Sequence, residues 1–565
     1  MIASAVTEAG QGRADDANAA GSMPFIGQAI EIGPDSLVVE RVLDLVEDRH
    51  LADHAFVQAA GVKPLSACLP VLPMTMSLEA MAEAAACLAP GMGLIRLEDV
   101  MASRWIELAD VDHLALRIRA RRVSRDPASG AQRIHAAIHP HGQDKAAISA
   151  AFCFAQRYQA SVDLSFKALV NPYRLALSGE DIYLRRHLFH GPSYQCLSGD
   201  IVLGDSSAYC EMIVPSPAAL FRSNCAPQLL LDPQLLDAVG QLVGVWAMER
   251  ERYVFPIGLE KLEIYRPSPP PGSRFAVRAE ITADSGKTLE ADIEIRDGGG
   301  VWMRVKAWRM WKFRWDRRLV HFRRAPSRQA LSKPYATGAP LACRVINATD
   351  FARPDLEIIA RFYLHMDEME AFRAKAKVPR RQREWLMGRI AAKDAIRALL
   401  AASSEGPREI HPASLAILYD ENRRPLVDPR SLQRVTFPAP SISVTHCRDR
   451  AIAVAHRAPV GVDLEHIIPR DAAFREAAFT PAECALLEQI TQGSAAALEE
   501  WMTRLWCAKE ATRKLLGGKL DGGPRKFVAV ALFPDGTVKV QAPGEDQLRS
   551  VRTQRDGDDI FASCA

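Results

Sequence analysis

Two stretches of this sequence are apolar all the way round, and a fold that accepts one of them has few options. Residues 73–89 read PMTMSLEAMAEAAACLA, and residues 233–249 read PQLLDAVGQLVGVWAME. Each has helical composition, with proline only at its first turn, where the missing N–H costs nothing. Asp232 supplies a cap for the second. A helix without a polar face must be enclosed. Strand patterns surround both. Residues 37–45 are extended and apolar, and 114–123 and 146–155 alternate. Around the second helix, 200–214 gives two short strands, and 274–281, 288–296 and 301–312 give three more. Turns at 284–286 and 297–300 join these three as hairpins. Strands, one apolar helix and more strands thus occur twice between about 24 and 315, which predicts two sheets, each wrapped around its own helix.

At 565 residues the chain has room for two to four domains. Its 48% hydrophobic and 25% charged residues are those of a soluble globular protein. A net charge of +3 gives no bulk case for nucleic acid, and no apolar run approaches a membrane span, so neither partner is expected. The 11 cysteines are scattered without a CxxC pair, which predicts reduced thiols and a cytoplasmic setting. Residues 1–23 are rich in Ala, Gly and Asp, lack the pattern of a signal peptide and read as a disordered tail. Residues 316–340 read as a basic linker.

Three local motifs mark the first half. Leu51-Ala52-Asp53-His54 precedes the first helix, DPQLLDAVGQ sets Asp237 and Gln241 one turn apart on the second, and Phe189-His190-Gly191-Pro192-Ser193-Tyr194-Gln195 stands before the second set of strands. These resemble the dehydratase domains of modular and iterative polyketide synthases, with a double hot-dog fold over 24–315. The resemblance implies loss of water from a β-hydroxyacyl thioester, with His54 as base, Asp237 as acid and Gln241 orienting the hydroxyl. Burial is expected to raise the pKa of Asp237 and keep it protonated. The sequence departs from the motif at Gln58 and Lys63, where Gly and Pro are usual. Leu72-Pro73 comes only after an insertion similar to that of enediyne and polyunsaturated-fatty-acid-type synthases. The alternative is a non-catalytic module that docks a carrier protein.

The other half is organised by residues 501–516, WMTRLWCAKEATRKLL, which have no breaker and are ended by Gly517-Gly518. Trp501, Leu505, Ala508, Thr512 and Leu515 form one stripe, while Trp506, Glu510 and Lys514 share a second face. Upstream, 451–455 is an apolar strand, and in Val460-Gly461-Val462-Asp463-Leu464-Glu465 the two acids share one strand face. Paired carboxylates on an apolar strand call for a cation between them, and with Glu510 as the third they suit Mg²⁺.

GVDLE followed by WCAKEATRK resembles the paired signature of surfactin-type 4′-phosphopantetheinyl transferases, over about 341–565. The family is a pseudo-dimer of two α+β halves, so the chain as a whole is expected to be α+β. The resemblance implies transfer of phosphopantetheine from coenzyme A, as co-substrate, to a serine of an apo acyl carrier protein. Mg²⁺ would lie on Asp463, Glu465 and Glu510. Glu510, or a water on the ion, would take the serine proton, and Lys514 would steady phosphate oxygens. Arg424, Thr445, His446 and Lys509 are the expected phosphate contacts. Arg389 and Lys393, i and i+4 on a helix over 382–401, are further candidates.

Overall fold

The computed structural model describes residues 22–565 apart from 58–63, 161, 163–165, 167, 314–316, 337–340, 351–355, 404–408, 433–437 and 518–522. Gln58, Lys63, Gly518 and most of the expected disordered tail lie outside the described residues. The chain divides into two compact units at about residue 315.

The first unit contains, in order, β1 (Gln28–Ile32), β2 (Ser36–Asp44), β3 (Val71–Leu72), α1 (Met74–Ala86), β4 (Gly93–Ala102), β5 (Ile106–Glu107), β6 (His113–Arg125), β7 (Gln132–Pro140), β8 (Ile148–Ala155), β9 (Tyr173–Arg174), α2 (Gly179–Leu184), β10 (Leu197–Leu203), β11 (Ser207–Ile213), α3 (Pro233–Met248), β12 (Tyr253–Ile264), β13 (Arg274–Asp284), β14 (Thr288–Asp297) and β15 (Gly300–Phe313). Thirteen of the strands form one sheet in the order β1-β2-β6-β7-β8-β4-β12-β15-β14-β13-β11-β10-β9. Helix α1 belongs to the first half of that sheet and α3 to the second, each almost wholly buried, which is the double hot-dog arrangement. The halves join where β4 pairs antiparallel with β12, Leu97 opposite Leu262. Gly258 is required at this seam: its φ is +154°, and a Cβ would strike the Val100 carbonyl of β4.

Helix α1 also buries two acids. Glu79 accepts the amides of Leu230 and Leu231 at 2.7 and 2.9 Å, and Glu83 accepts that of Phe25 at 2.7 Å. Burial raises both carboxyls above the usual range. Burial likewise pushes Asp232, the α3 cap, up to about 7. Acids raised on folding stabilise the fold fully below their unfolded pKa, and that stability is lost as pH rises through the folded value. The contribution of these acids to the thermal midpoint of the first unit should therefore fall between about pH 4, the ordinary Asp value, and pH 7 to 8. Melting curves of Glu79→Gln against wild type check this; the variant should show the shallower pH slope.

The second unit opens with α4 (Arg317–Arg324), then β16 (Lys333–Pro334), β17 (Ala342–Asn347), α5 (Leu356–Tyr363), α6 (Met366–Ala374), α7 (Pro379–Ala402), β18 (Ile417–Tyr419), β19 (Pro425–Val427), β20 (Ser441–Cys447), β21 (Arg450–His456) and β22 (Gly461–His466). It continues with α8 (Ala472–Ala478), α9 (Pro481–Thr491), α10 (Ala495–Leu516), β23 (Val528–Leu532), β24 (Thr537–Gln541), β25 (Arg549–Asp556) and β26 (Asp559–Cys564). One sheet runs β16-β17-β21-β20-β19-β18 with α7 on it, and the other β22-β26-β25-β24-β23 with α10 on it.

The expected linker is a correction. Its described part is folded into this unit: Leu319, Val320 and Phe322 of α4 are buried, and Arg397 holds the carbonyls of Pro326 and Gln329 at 2.7 and 2.9 Å. The apolar residues lie between arginines, so a composition dominated by charge hid a short buried stripe.

Candidate functional sites

In the first unit, the short helix Arg49–His54 delivers His54 beside α3. His54 Nδ1 lies 2.7 Å from the Val71 carbonyl, which can only accept, so Nδ1 carries the hydrogen and Nε2 keeps its lone pair. Burial, with the charge of His190 adding and that of Asp237 opposing, pushes His54 down to about 4. It is therefore neutral at physiological pH, as a base must be.

Asp237, one turn into α3, accepts from Gln241 Nε2 at 2.9 Å and lies 3.2 Å from His190 Nε2. Burial raises its carboxyl, but the charge and hydrogen bond of His190, then His54 and Gln241, outweigh it, and the net pKa lies below the usual carboxylate value. This reverses the expectation of a protonated Asp237; the reason is the second imidazole. Gln241 is also corrected. Its amide donates to Asp237 and to the Tyr194 carbonyl at 3.0 Å, and its oxygen accepts from Tyr183 at 2.7 Å. With all three bonds internal it fixes Asp237 instead of reaching a substrate.

His190 carried no expected role, although the sequence motif that contains it was visible. Asp53 brings it into place: the Asp53 carbonyl accepts from Gly191 at 2.7 Å and its carboxylate from Ser193 at 2.9 Å. His54, His190 and Asp237 each offer an atom within 4.8 Å of the others, and among the described residues this is the one His/Cys/Asp/Glu trio that close.

In the second unit, β20 and β22 meet through hydroxyls. Ser441, Ser443 and Thr445 accept the amides of Val460, Val462 and Leu464 at 3.2, 3.0 and 3.1 Å. The seam presents Asp463 to α10. Gly461 allows the approach, since a Cβ there would strike the backbone at Ala511 and Leu515. Asp463 Oδ1 accepts from Lys514 at 2.8 Å and from Thr445 at 3.2 Å, while Oδ2 is buried without a partner. Glu465 accepts from Trp506 Nε1 at 3.3 Å, and burial, then the charge of Asp463, raises its pKa. Glu510 stands one turn from both Trp506 and Lys514, on the face that meets these acids. Its carboxylate turns to Arg513 at 2.6 Å. The three expected ligands thus share a face but do not converge on one point. An orphan carboxylate oxygen, two neighbouring acids and a lysine on one of them form a donor set that fits a divalent cation.

Of the expected phosphate contacts, three stay at the site. Lys514 is on Asp463, and the His446 ring, set against Gly388 of α7, has its pKa lowered first by desolvation and then by the charge of Lys514. Arg424 lies against Gly517 at the end of α10 and donates to Ser441 at 3.3 Å. The others are corrections, each because its donors are already taken. The Thr445 hydroxyl is spent on Leu464 and Asp463. Lys509, 1% exposed, is bound to Glu483 at 2.7 Å and to the Ala478 carbonyl. Arg389 and Lys393 both close on buried Glu368. Breaking such a buried pair costs about 3–5 kcal/mol, so these cations hold the fold and do not reach out.

Comparison with known proteins separates the two units. Residues 162–315 match the family model described as the polyketide synthase dehydratase N-terminal domain, and residues 459–565 that of the 4′-phosphopantetheinyl transferase superfamily. A 4′-phosphopantetheinyl transferase, psf-1 of Bacillus pumilus, is 30% identical over 117 residues, 21% of this chain and 48% of that protein. The chain thus aligns with about half the length of that relative. Among solved structures, the dehydratase domain from the CurF module of the curacin polyketide synthase covers 52% of this chain and 100% of its own, at 17% identity and TM-score 0.40. A trans-AT polyketide synthase dehydratase domain from Brevibacillus brevis covers 52% and 99%, also at 17% identity and TM-score 0.40. No helix among the described residues is long and apolar enough to cross a membrane.

Proposed function

From a chain that carries a polyketide-synthase-type dehydratase domain and a 4′-phosphopantetheinyl transferase domain, we propose a two-activity enzyme of polyketide or related lipid biosynthesis, with the domains over about 24–315 and from about 317 onward. The second unit transfers 4′-phosphopantetheine from coenzyme A to a serine of an apo acyl carrier protein. The observation that carries this is Asp463: a buried carboxylate with one oxygen on Lys514 and Thr445 and the other unpartnered, beside Glu465 and facing the helix of Glu510. Asp463, Glu465 and Glu510 would hold Mg²⁺, which when bound neutralises the diphosphate of coenzyme A. Lys514, Arg424 and His446 then direct N–H donors at phosphate oxygens. The serine oxygen bonds to phosphorus, the bond to adenosine 3′,5′-bisphosphate breaks, and Glu510 or a water would take the serine proton.

The first unit removes water from a β-hydroxyacyl thioester. Neutral His54, with Nε2 free, and the Asp237–His190 pair opposite it support this over the docking-module alternative. A cytoplasmic setting accords with eleven free thiols. Mass spectrometry of an apo carrier incubated with this protein, coenzyme A and Mg²⁺ tests the transfer. One phosphopantetheine should be gained, and chelator should abolish the gain; a carrier mass that stays constant across apo carriers of several synthases would overturn the assignment.

A further inference from the structure

The dehydration reading leaves one proton unaccounted for. The departing hydroxyl needs an acid, yet Asp237 is held below the usual carboxylate range, and His54 is the base. Resting on that reading, we propose that His190 is the proton-holding partner of Asp237, so that the acid is the imidazole–carboxylate pair and not the carboxyl alone.

The geometry supports this at each contact. His190 Nε2 lies 3.2 Å from Asp237 Oδ2, with both side chains 9% exposed. Its Nδ1 is buried with no partner, and its Nε2 is the ring nitrogen that meets the carboxylate. The ring is stacked on Phe189 at 4.2 Å and tilted to His54 at 5.2 Å. The titratable groups that face it are His54, Tyr194 and Asp237, while Asp53 accepts from Ser193 in the same loop. Tyr183 reaches Asp237 only through Gln241, and His50 lies behind Tyr194. No lysine or arginine is among these contacts, so the shared proton is the local positive charge.

The step balances. His54 Nε2 takes the α-proton, and that C–H electron pair becomes the new Cα=Cβ bond. The Cβ–O bond breaks, and the pair's proton goes to the leaving oxygen, which departs as water. His54 then returns its proton to the pair, across a trio whose atoms all lie within 4.8 Å.

The test uses the full chain and the N-acetylcysteamine thioester of 3-hydroxybutyrate. His190→Gln, which can still donate to Asp237 but cannot carry the proton, should lower kcat about 10²-fold with KM changed less than about twofold. The alkaline limb of kcat/KM should move acidward by about one pH unit, because a lone carboxyl surrenders its proton at lower pH than the pair. His190→Phe should give the same loss, phosphopantetheine transfer by both variants should equal wild type, and a wild-type melting curve of both variants reports folding of the first unit. In ¹³C-aspartate spectra, the Asp237 carboxyl should titrate at higher pH in His190→Gln than in wild type. Wild-type kcat in both variants overturns the proposal, and so does a lower kcat with an unmoved alkaline limb. A wild-type chain that dehydrates nothing overturns the dehydration reading instead; the Asp237 titration still decides the pairing.

Discussion

His54→Phe abolishes dehydration of a β-hydroxyacyl thioester by the first unit and leaves phosphopantetheine transfer by the second unchanged. The Val71 carbonyl fixes the tautomer that exposes Nε2, and the ring faces His190, the partner of Asp237. Phenylalanine fills the same space among Phe189 and Tyr194, so the loss is chemical and not a cavity. A turnover drop of about 10³-fold or more is expected, read by the absorbance of the enoyl thioester. The wild-type pH profile provides an independent check. Burial lowers His54 to about 4, so its lone pair is available at any pH above that value. The acid limb should lie near pH 4, more than two units below that of an ordinary histidine. The same shift costs stability in acid: a histidine lowered on folding loses its contribution as pH falls from about 6.5 through 4. His50, pushed down by burial to about 3, adds to that loss. An unchanged rate in His54→Phe would favour a carrier-docking module.

What could be read in the sequence follows from what is local. The helices α1, α3, α7 and α10 were legible because helical composition, the lack of breakers and caps are short-range signals, as with Asp232 capping α3. The strands β4 and β12, which join the two hot dogs, gave no such signal: Pro256 and Gly258 interrupt β12, and a register shift accompanies them. The acids were legible for the same reason the cations were not. An acid on an apolar strand is anomalous wherever the chain goes, so Asp463 and Glu465 stood out. A lysine on a helix is ordinary, and only the tertiary structure shows Lys509 spent on Glu483 from α9 or Lys393 spent on Glu368 from α6. His190 shows the limit from the other side. Its motif was visible, but its contact with Asp237 joins a loop to a helix 47 residues on, and that contact reverses the expected protonation of the acid.

Asp463→Ala eliminates phosphopantetheine transfer while the second unit stays folded. The carboxylate is 6% exposed, yet only one of its oxygens is used within the protein. A group placed there for stability alone would have both oxygens satisfied. Removing it frees Lys514, which is 24% exposed and can be solvated in place, so the fold loses about 1–3 kcal/mol at most. Transfer should fall by about 10³-fold or more, measured as carrier mass gained per minute. Ser443→Ala is the matched control. It orphans the buried amide of Val462 at the same seam, at a similar cost of about 1–3 kcal/mol, but leaves the acids intact. If both variants lose the same stability and only Asp463→Ala loses transfer, the seam is architecture and the acid is chemistry. A Mg²⁺-dependent rise in the wild-type melting temperature, absent in Asp463→Ala, would locate the cation independently of turnover. Transfer that survives in Asp463→Ala would remove the reason for placing the metal, and with it the reaction, on this helix and strand.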